Sequence, residues 1–581
     1  MIDPVTLEVV RNSFPAAANE MAEDLQRTSY NMMIYEVRDF SCAIVGASGE
    51  LFAQNIGGVS HFVADLDVVI KDAVERLGIA SFRPGDAILM NHQRVCGQHL
   101  NNMVAYTPIF VGEELFGFAM VRAHWVDIGG LSTGFGAGGG MVTDPWVEGL
   151  QFDQVKIMNE GVANEPLMKF IADNVRYPEA AMGDLRAQLA ACAVGAQRVQ
   201  ELVDRYGVDV VRLCLARVFD DTEARCRMAI ERIADGEYVA EGWLDHDFVD
   251  RDERVMVVAK VTVSGSDLTV DLTGSSRTRR GSINARTRAA AFIAYKGITA
   301  PLEPLNEGSF RALRVEIDEG NFMMATFPAP MAQWSIAIPT AVDVILKALA
   351  PALADVVPAG TYGTLGGAMV FFGNDPSRGG KRFVSQTIEG GGWGASPSLD
   401  GQNASVSVCQ GDVRNAPIES LELKYPLLVE RRALRPDSGG AGRRRGGLGQ
   451  VTDIQNLVPG TWSMSSIPRE TCPPWGLNGG RPGQPGYCDV RLSSDGTWEN
   501  GGDTRKVVGA GAAQRKATGG GGGWGDPLER PLEEIDVDLL EEYVSPERAE
   551  IDYRVVVDRA TLTVDRGATS VRRSEFDDAP R

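Results

Sequence analysis

Apolar residues recur at helical spacing from the start of the chain, with Leu7, Val10, Phe14, Ala18, Met21 and Leu25 on one face. Asp3 can cap this helix and Pro4 suits its first turn, while Pro15 predicts a kink or restart. The texture becomes strand-like over Asp39–Val45 and Leu51–Ala53, with a turn at Ala47-Ser48-Gly49-Glu50 between them, which predicts a hairpin. Residues 63–77 read as helix and Ala87–Met90 as a short strand. Val104–Val111 and Leu115–Val121 flank Gly112-Glu113-Glu114 as a second hairpin. A long helical stripe carries Leu185, Leu189, Cys192 and Val199, stops near Tyr206-Gly207, and is followed by a helix with Val211, Leu215 and Val218.

Farther along, Val261, Val263, Leu268, Val270 and Leu272 alternate with polar residues around Ser264-Gly265-Ser266-Asp267, a hairpin signal. Residues 341–349 read as helix. The chain from about 382 to 508 reads as strands and Gly/Pro turns, including 423–434, and residues 526–557 as acidic and partly helical. No repeat of fixed period occurs. The expected architecture is multidomain α+β. It comprises an N-terminal α/β part (1–240) carrying the site, a mixed middle part (241–380), a β-rich part (381–525) and an acidic tail (526–581).

Composition narrows the function classes. The 581 residues carry 57 Lys+Arg against 78 Asp+Glu, a net charge of −21 that disfavours nucleic-acid backbones and anionic membranes as partners. The N-terminal residues lack a basic region followed by an apolar core, the uncharged stretch 321–342 is broken by prolines, and eight scattered cysteines form no CxxC pair. These features predict a cytoplasmic protein with reduced thiols. Glycine is abundant, 66 residues against an average of roughly 7 %, in runs at 129–140, 439–449 and 519–525. Such runs mark either close backbone approaches or surface loops.

Only five histidines occur, and His92, His99 and His124 lie within one short stretch, two of them beside strand ends. Imidazoles at adjacent strand ends can share a metal ion with carboxylates, or serve as hydrogen-bonded structural groups; spacing leaves both open. His61 and His246 suggest no role. Gly130-Leu131-Ser132-Thr133-Gly134 fits G-x-S-x-G and Gly134 to Gly139 fits G-x-G-x-x-G, but neither precedes a helix, so both read as loop. There is no phosphate-binding G-x-x-x-x-G-K-[ST] loop. Cys96 beside the histidines is a nucleophile only if its pKa is depressed, and Arg443-Arg444-Arg445 reads as a solvated turn, an anion anchor or a subunit contact.

Several segments together resemble the hydantoinase B / 5-oxoprolinase family. They are Glu36 to Cys42, Gly97-Gln98-His99-Leu100 with Thr107 to Phe110, Ala123-His124 through Asp127 to Gly130, Tyr425-Pro426-Leu427, Arg435 to Gly442, Gly519 to Arg530, and Tyr543 to Glu547. The resemblance implies a B-type subunit working with an ATP-binding A-type subunit of the hydantoinase kind. Such complexes either open cyclic amides or carboxylate ketones, as acetone and acetophenone carboxylases do. It implies a divalent metal (Zn, Mn, Fe or Ni) on Asp39, His99, Asn102 and His124, with ATP bound by the partner. Asn102 stands where the family has Asp and Trp125 where it has a second His, and His92 offers a substitute ligand. Under this reading Asp39 is ligand or base, His99 and His124 hold the metal, and Asp127 orients a histidine. Trp125 is either an apolar wall suited to a bulky substrate or core packing. The expected activity is water attack on a cyclic amide activated by the partner. The alternatives are a ketone carboxylase subunit, or a structural subunit with a degenerate site.

Overall fold

A computed structural model describes residues 2–133, 139–364, 368–465, 469–502 and 505–577. The site-bearing part is a seven-stranded antiparallel sheet, with the hairpin Phe40–Gly46/Leu51–Gln54 at one edge. Next come Glu114–His124, Asn102–Val111 and Ala87–Met90, and two short strands between residues 155 and 163 close the other edge. Every residue of Phe40–Gly46 is buried because both faces are covered. Cys42 and Ile44 pack with Phe14, Met21 and Ala187 of the helices Pro4–Thr28 and Pro178–Tyr206, whereas Ala43 and Val45 pack with Val69 and Ile70 of the helix Leu66–Leu77. Two-sided burial explains why this strand reads as a continuous apolar run.

Pro15 does not break the first helix, which runs unbroken from Pro4 to Thr28. Its buried face (Val10, Phe14, Ala17, Ala18, Met21, Leu25) is held against the sheet and the helix Pro178–Tyr206, and that packing outweighs one missing backbone donor.

The hairpin Val255–Ser264/Asp267–Asp271 forms as the alternation predicts, in a four-stranded sheet covered by the helices Ala289–Thr299 and Ile338–Leu349. Two further sheets of four and five strands lie between residues 368 and 517. The stretch 423–434 departs from the expected strand. Its start belongs to the helix Ile418–Lys424 and only Leu427–Leu434 is strand.

The glycine runs at 439–449 and 519–525 are not surface loops. Extended segments outside the regular sheets lie backbone to backbone, with Gly392 N–H donating to Gly519 O, Gly447 to Trp393 O, Gly521 to Gly447 O, and Gly440 to Gly521 O, all within 2.9 Å. A Cβ on Gly447, Gly520 or Gly521 would lie 1.9 to 2.0 Å from a neighbouring carbonyl oxygen, so only glycine permits this spacing.

The arginine run is no solvated turn either. Arg445 is buried and pairs with Asp538, which also takes Arg530. Arg444 pairs with Glu534. Both contacts fasten the helix Leu532–Leu540 to the glycine-rich layer. Among the described residues no helix is long and apolar enough to cross a membrane.

Candidate functional site

Strand register builds the site. Asn102 is the direct cross-strand partner of His124, and His124 N–H donates to Asp39 O, extending a ladder in which Phe40 pairs with Ala123. The period of two then puts Asp39, His124 and Asn102 in one row across three neighbouring strands, on the face opposite Phe40, Ala123 and Met103. Cβ atoms at directly opposed positions of such a row are about 5 Å apart.

His99 closes the row from the loop that precedes Asn102. A tight turn bonds Asn102 N–H to His99 O. Asn91 ties the loop to Leu100 and Leu150, and Gly97 exchanges two backbone hydrogen bonds with Arg286. A Cβ on Gly97 would sit 2.4 Å from that of Arg286, so this docking requires glycine. Glu148, pushed up to about 7 by burial, accepts from Gln93 and from the N–H groups of Leu100 and Met331.

The His99 and His124 rings meet edge to face with centroids 5.1 Å apart. Burial pushes His99 down to about 4 and His124 well below the ordinary imidazole value, so both rings are neutral at physiological pH. His99 Nε2 lies 2.8 Å from Asn102 Oδ1, and Nδ1 lies 3.3 Å from Ala332 O. Both neighbours are acceptors, and a neutral ring donates to only one of them.

The amide orientation follows from its chain of partners. Gln98 Nε2 faces two acceptors, His61 O and Asp65 Oδ2, which leaves Gln98 Oε1 to accept from Asn102 Nδ2 and turns Asn102 Oδ1 toward His99. In the tautomer whose Nδ1–H donates to Ala332 O, the Nε2 lone pair and Asn102 Oδ1 face each other at 2.8 Å. That arrangement suits two donors sharing one cation, with the backbone carbonyl orienting the imidazole from behind. Two neutral imidazoles, the Asn102 carboxamide oxygen and the Asp39 carboxyl, which burial raises to about 7, are thus neighbours of the atom types that ligate divalent metals, with less negative charge than an Asp at 102 would bring.

Other expected residues are placed elsewhere. The His92 ring lies against Phe327 at 4.9 Å and its Nδ1 accepts from Arg94 N–H. Among the described residues no three His, Cys, Asp or Glu side chains converge as a metal group, so neither Asp39, His99 and His124 nor a set that includes His92 is gathered around one point in this conformation. The Asp127 carboxylate accepts from the backbone N–H and guanidinium of Arg176 instead of orienting a histidine. Trp125 is fully buried, with its Nε1–H donated to Gln188, and is core packing, not a substrate wall. The Cys96 thiol is raised by burial and accepts from Arg122 at 2.7 Å, the opposite of an activated nucleophile. The G-x-S-x-G and G-x-G-x-x-G matches run into residues 134–138, outside the described residues.

Three neighbours were not foreseen. His61 and His99 both set their edges against the Trp334 ring, at 4.8 and 6.3 Å, and burial pushes His61 down to about 3. Arg122, buried two positions before His124 on the same strand face, donates to Phe62 O and Cys96. The scarcity of histidine could have flagged His61, and the alternation leading to His124 could have flagged Arg122.

A neutral, buried imidazole pair at the end of an antiparallel sheet, on a multi-sheet α+β frame, defines the class of site. The hydantoinase B/oxoprolinase family model matches residues 3–527, and the chain belongs to that family. It is 31 % identical to the B-type chain of a putative D-/L-hydantoinase of Pseudomonas sp. (strain NS671), over 96 % of this chain and 95 % of that one. The solved ATP-dependent caprolactamase from Pseudomonas jessenii superposes with a TM-score of 0.91 at 27 % identity, covering 99 % of this chain and 100 % of that one. A nucleotide-free acetone carboxylase shares the fold, with a TM-score of 0.91 at 18 % identity over 99 % of this chain and 83 % of that one.

Proposed function

We propose that this chain is the B-type subunit of an ATP-dependent cyclic-amide hydrolase, opening a hydantoin, oxoproline or lactam ring after an A-type, ATP-binding partner has activated the amide. The observation that carries the reading is the row Asp39–His124–Asn102 with His99 closing it, in a chain of this family.

His99, His124 and Asn102, with Asp39 beside them, would hold a divalent cation (Zn, Mn, Fe or Ni). When bound, such a cation lowers the pKa of a coordinated water and polarises the carbon under attack. Ala332 O and the Gln98–Asn102 amide chain hold the His99 ring plane from either side. Asp39 stands next to His124 as a ligand or as the group that takes the water's proton. The buried surroundings leave the attacking water to be placed by these side chains instead of by bulk solvent.

The test is activity of the complex with its A-type partner on hydantoin, 5-oxoproline and caprolactam with ATP, alongside the metal content of chelator-free protein. We expect ATP-dependent formation of a ring-opened acid without bicarbonate. His99→Ala should lower kcat by at least about 100-fold and release the metal. Carboxylation requiring bicarbonate would replace this reading by the ketone carboxylase one. Full activity in the His99→Ala/His124→Ala double variant would reduce the chain to a structural role.

A further inference from the structure

We propose that a cationic cleft bordering the His124 strand end binds phosphate, as the free ion or as the phosphoryl group of a small molecule. The cleft has a volume of about 470 Å³ and is walled on one side by residues 30–31 and 176–180, on the other by residues 375–384 and 424–425. Arg176, Arg378, Lys381, Arg382 and Lys424 line it, against two acids, Glu179 and Asp375. That surplus of positive charge stands out in a chain of net charge −21, where the mean field would drive anions away.

Arg176 pairs with the Asp127 carboxylate and Arg378 meets Asp375 at 3.5 Å, whereas Lys424 is held by neutral acceptors. Arg378 donates to the carbonyls of Leu423 and Lys424. Lys424 Nζ donates to Tyr35 Oη at 2.6 Å and to Tyr30 O, and lies over the Tyr35 and Tyr425 rings. A carbonyl and a phenol fix Lys424 without cancelling its charge. Lys381 meets its acid, Glu179, only at 3.5 Å with both side chains exposed, a pairing worth little. Arg382 is exposed at the mouth. A tetrahedral dianion suits such a set better than a single carboxylate, because it offers acceptors in several directions to donors on both walls.

The cleft also touches the site. Asn31, part of its wall, donates from Nδ2 to His124 O at 2.9 Å, and Val126 lies two residues beyond His124. An occupant pressing on the 30–31 segment would therefore bear directly on the strand end that carries His124. The proposed function supplies only the source of the phosphate, which partner-driven activation consumes from ATP and releases at ring opening; the binding itself does not depend on that reading.

The experiment is calorimetric titration of the purified full chain with inorganic phosphate, repeated with Arg382→Glu and Lys424→Met. Arg382 is exposed, so its variant should keep the wild-type melting temperature. We expect saturable binding, weakened about tenfold or more by Arg382→Glu and by Lys424→Met. Absence of saturable binding, or equal affinity in the well-folded Arg382→Glu protein, overturns the proposal. So does a result in which Arg382→Glu weakens assembly with the A-type partner while no phosphate binds, which would make the cleft a docking surface. Phosphate binding that depends on Arg382 in a complex without cyclic-amide activity would uphold the cleft and sink the functional reading, so the two failures are separable.

Discussion

At the residue scale, identity matters most where another backbone comes close. A Cβ on Gly521 would lie 2.0 Å from Trp393 O, whereas one on Gly509 would meet nothing within 4 Å. Gly521→Ala should therefore lower stability by more than about 2 kcal/mol or prevent folding, and Gly509→Ala should change it by no more than about 0.5 kcal/mol. Chemical denaturation of the two variants decides this, and equal stabilities would remove the close-packing account. His99 and His124 matter for a different reason. Burial makes both neutral, so they act as lone-pair donors or acceptors without carrying charge into the site.

At the scale of elements, the helix Pro178–Tyr206 does more than cover the sheet. Its Asp184 carboxylate is fully buried and accepts from the N–H groups of Tyr30 and Asn31, fixing the segment that in turn holds His124 O. Burial raises Asp184 to about 7 from an ordinary 3.8. The folded state then binds the proton more tightly than the unfolded chain between about pH 4 and 7. The contribution is full below about 4 and is lost as pH rises through 7. We expect the melting temperature of Asp184→Asn to vary less than wild type across that window, measured by thermal scans from about pH 4.5 to 7.5. Parallel curves would show that Asp184 does not titrate there.

Over the whole molecule, the acidic tail is not an appendage. Arg445 and Arg530 are both buried and converge on Asp538 of the helix Leu532–Leu540, with Asp400 completing the cluster. Removing the shared acid leaves two buried guanidinium groups short of a partner, and Asp538→Ala should cost about 3–5 kcal/mol. It should also open the chain after residue 525 to limited proteolysis before the rest unfolds. Simultaneous loss of all parts would show that the tail and the glycine-rich layer unfold as one unit.

Hydrophobic periodicity located the helices Pro4–Thr28, Leu66–Leu77, Pro178–Tyr206, Val208–Ile230 and Ile338–Leu349, both N-terminal hairpins and the 255–271 hairpin, but not the helices Glu165–Asn174 or Ala289–Thr299. The motif residues His99, Asn102 and His124 also lay in view, since register at a strand end follows from a hairpin's length. Other outcomes depended on neighbours distant in sequence. Pro15 stayed helical and Trp125 went into the core because helices from elsewhere pack on them. Asp127 turned to Arg176, His61 arrived beside His99, and five cations from separate segments met across one cleft. Local pattern sets which residues can share a face, but pairing energies between remote side chains are fixed only when the layers close on one another.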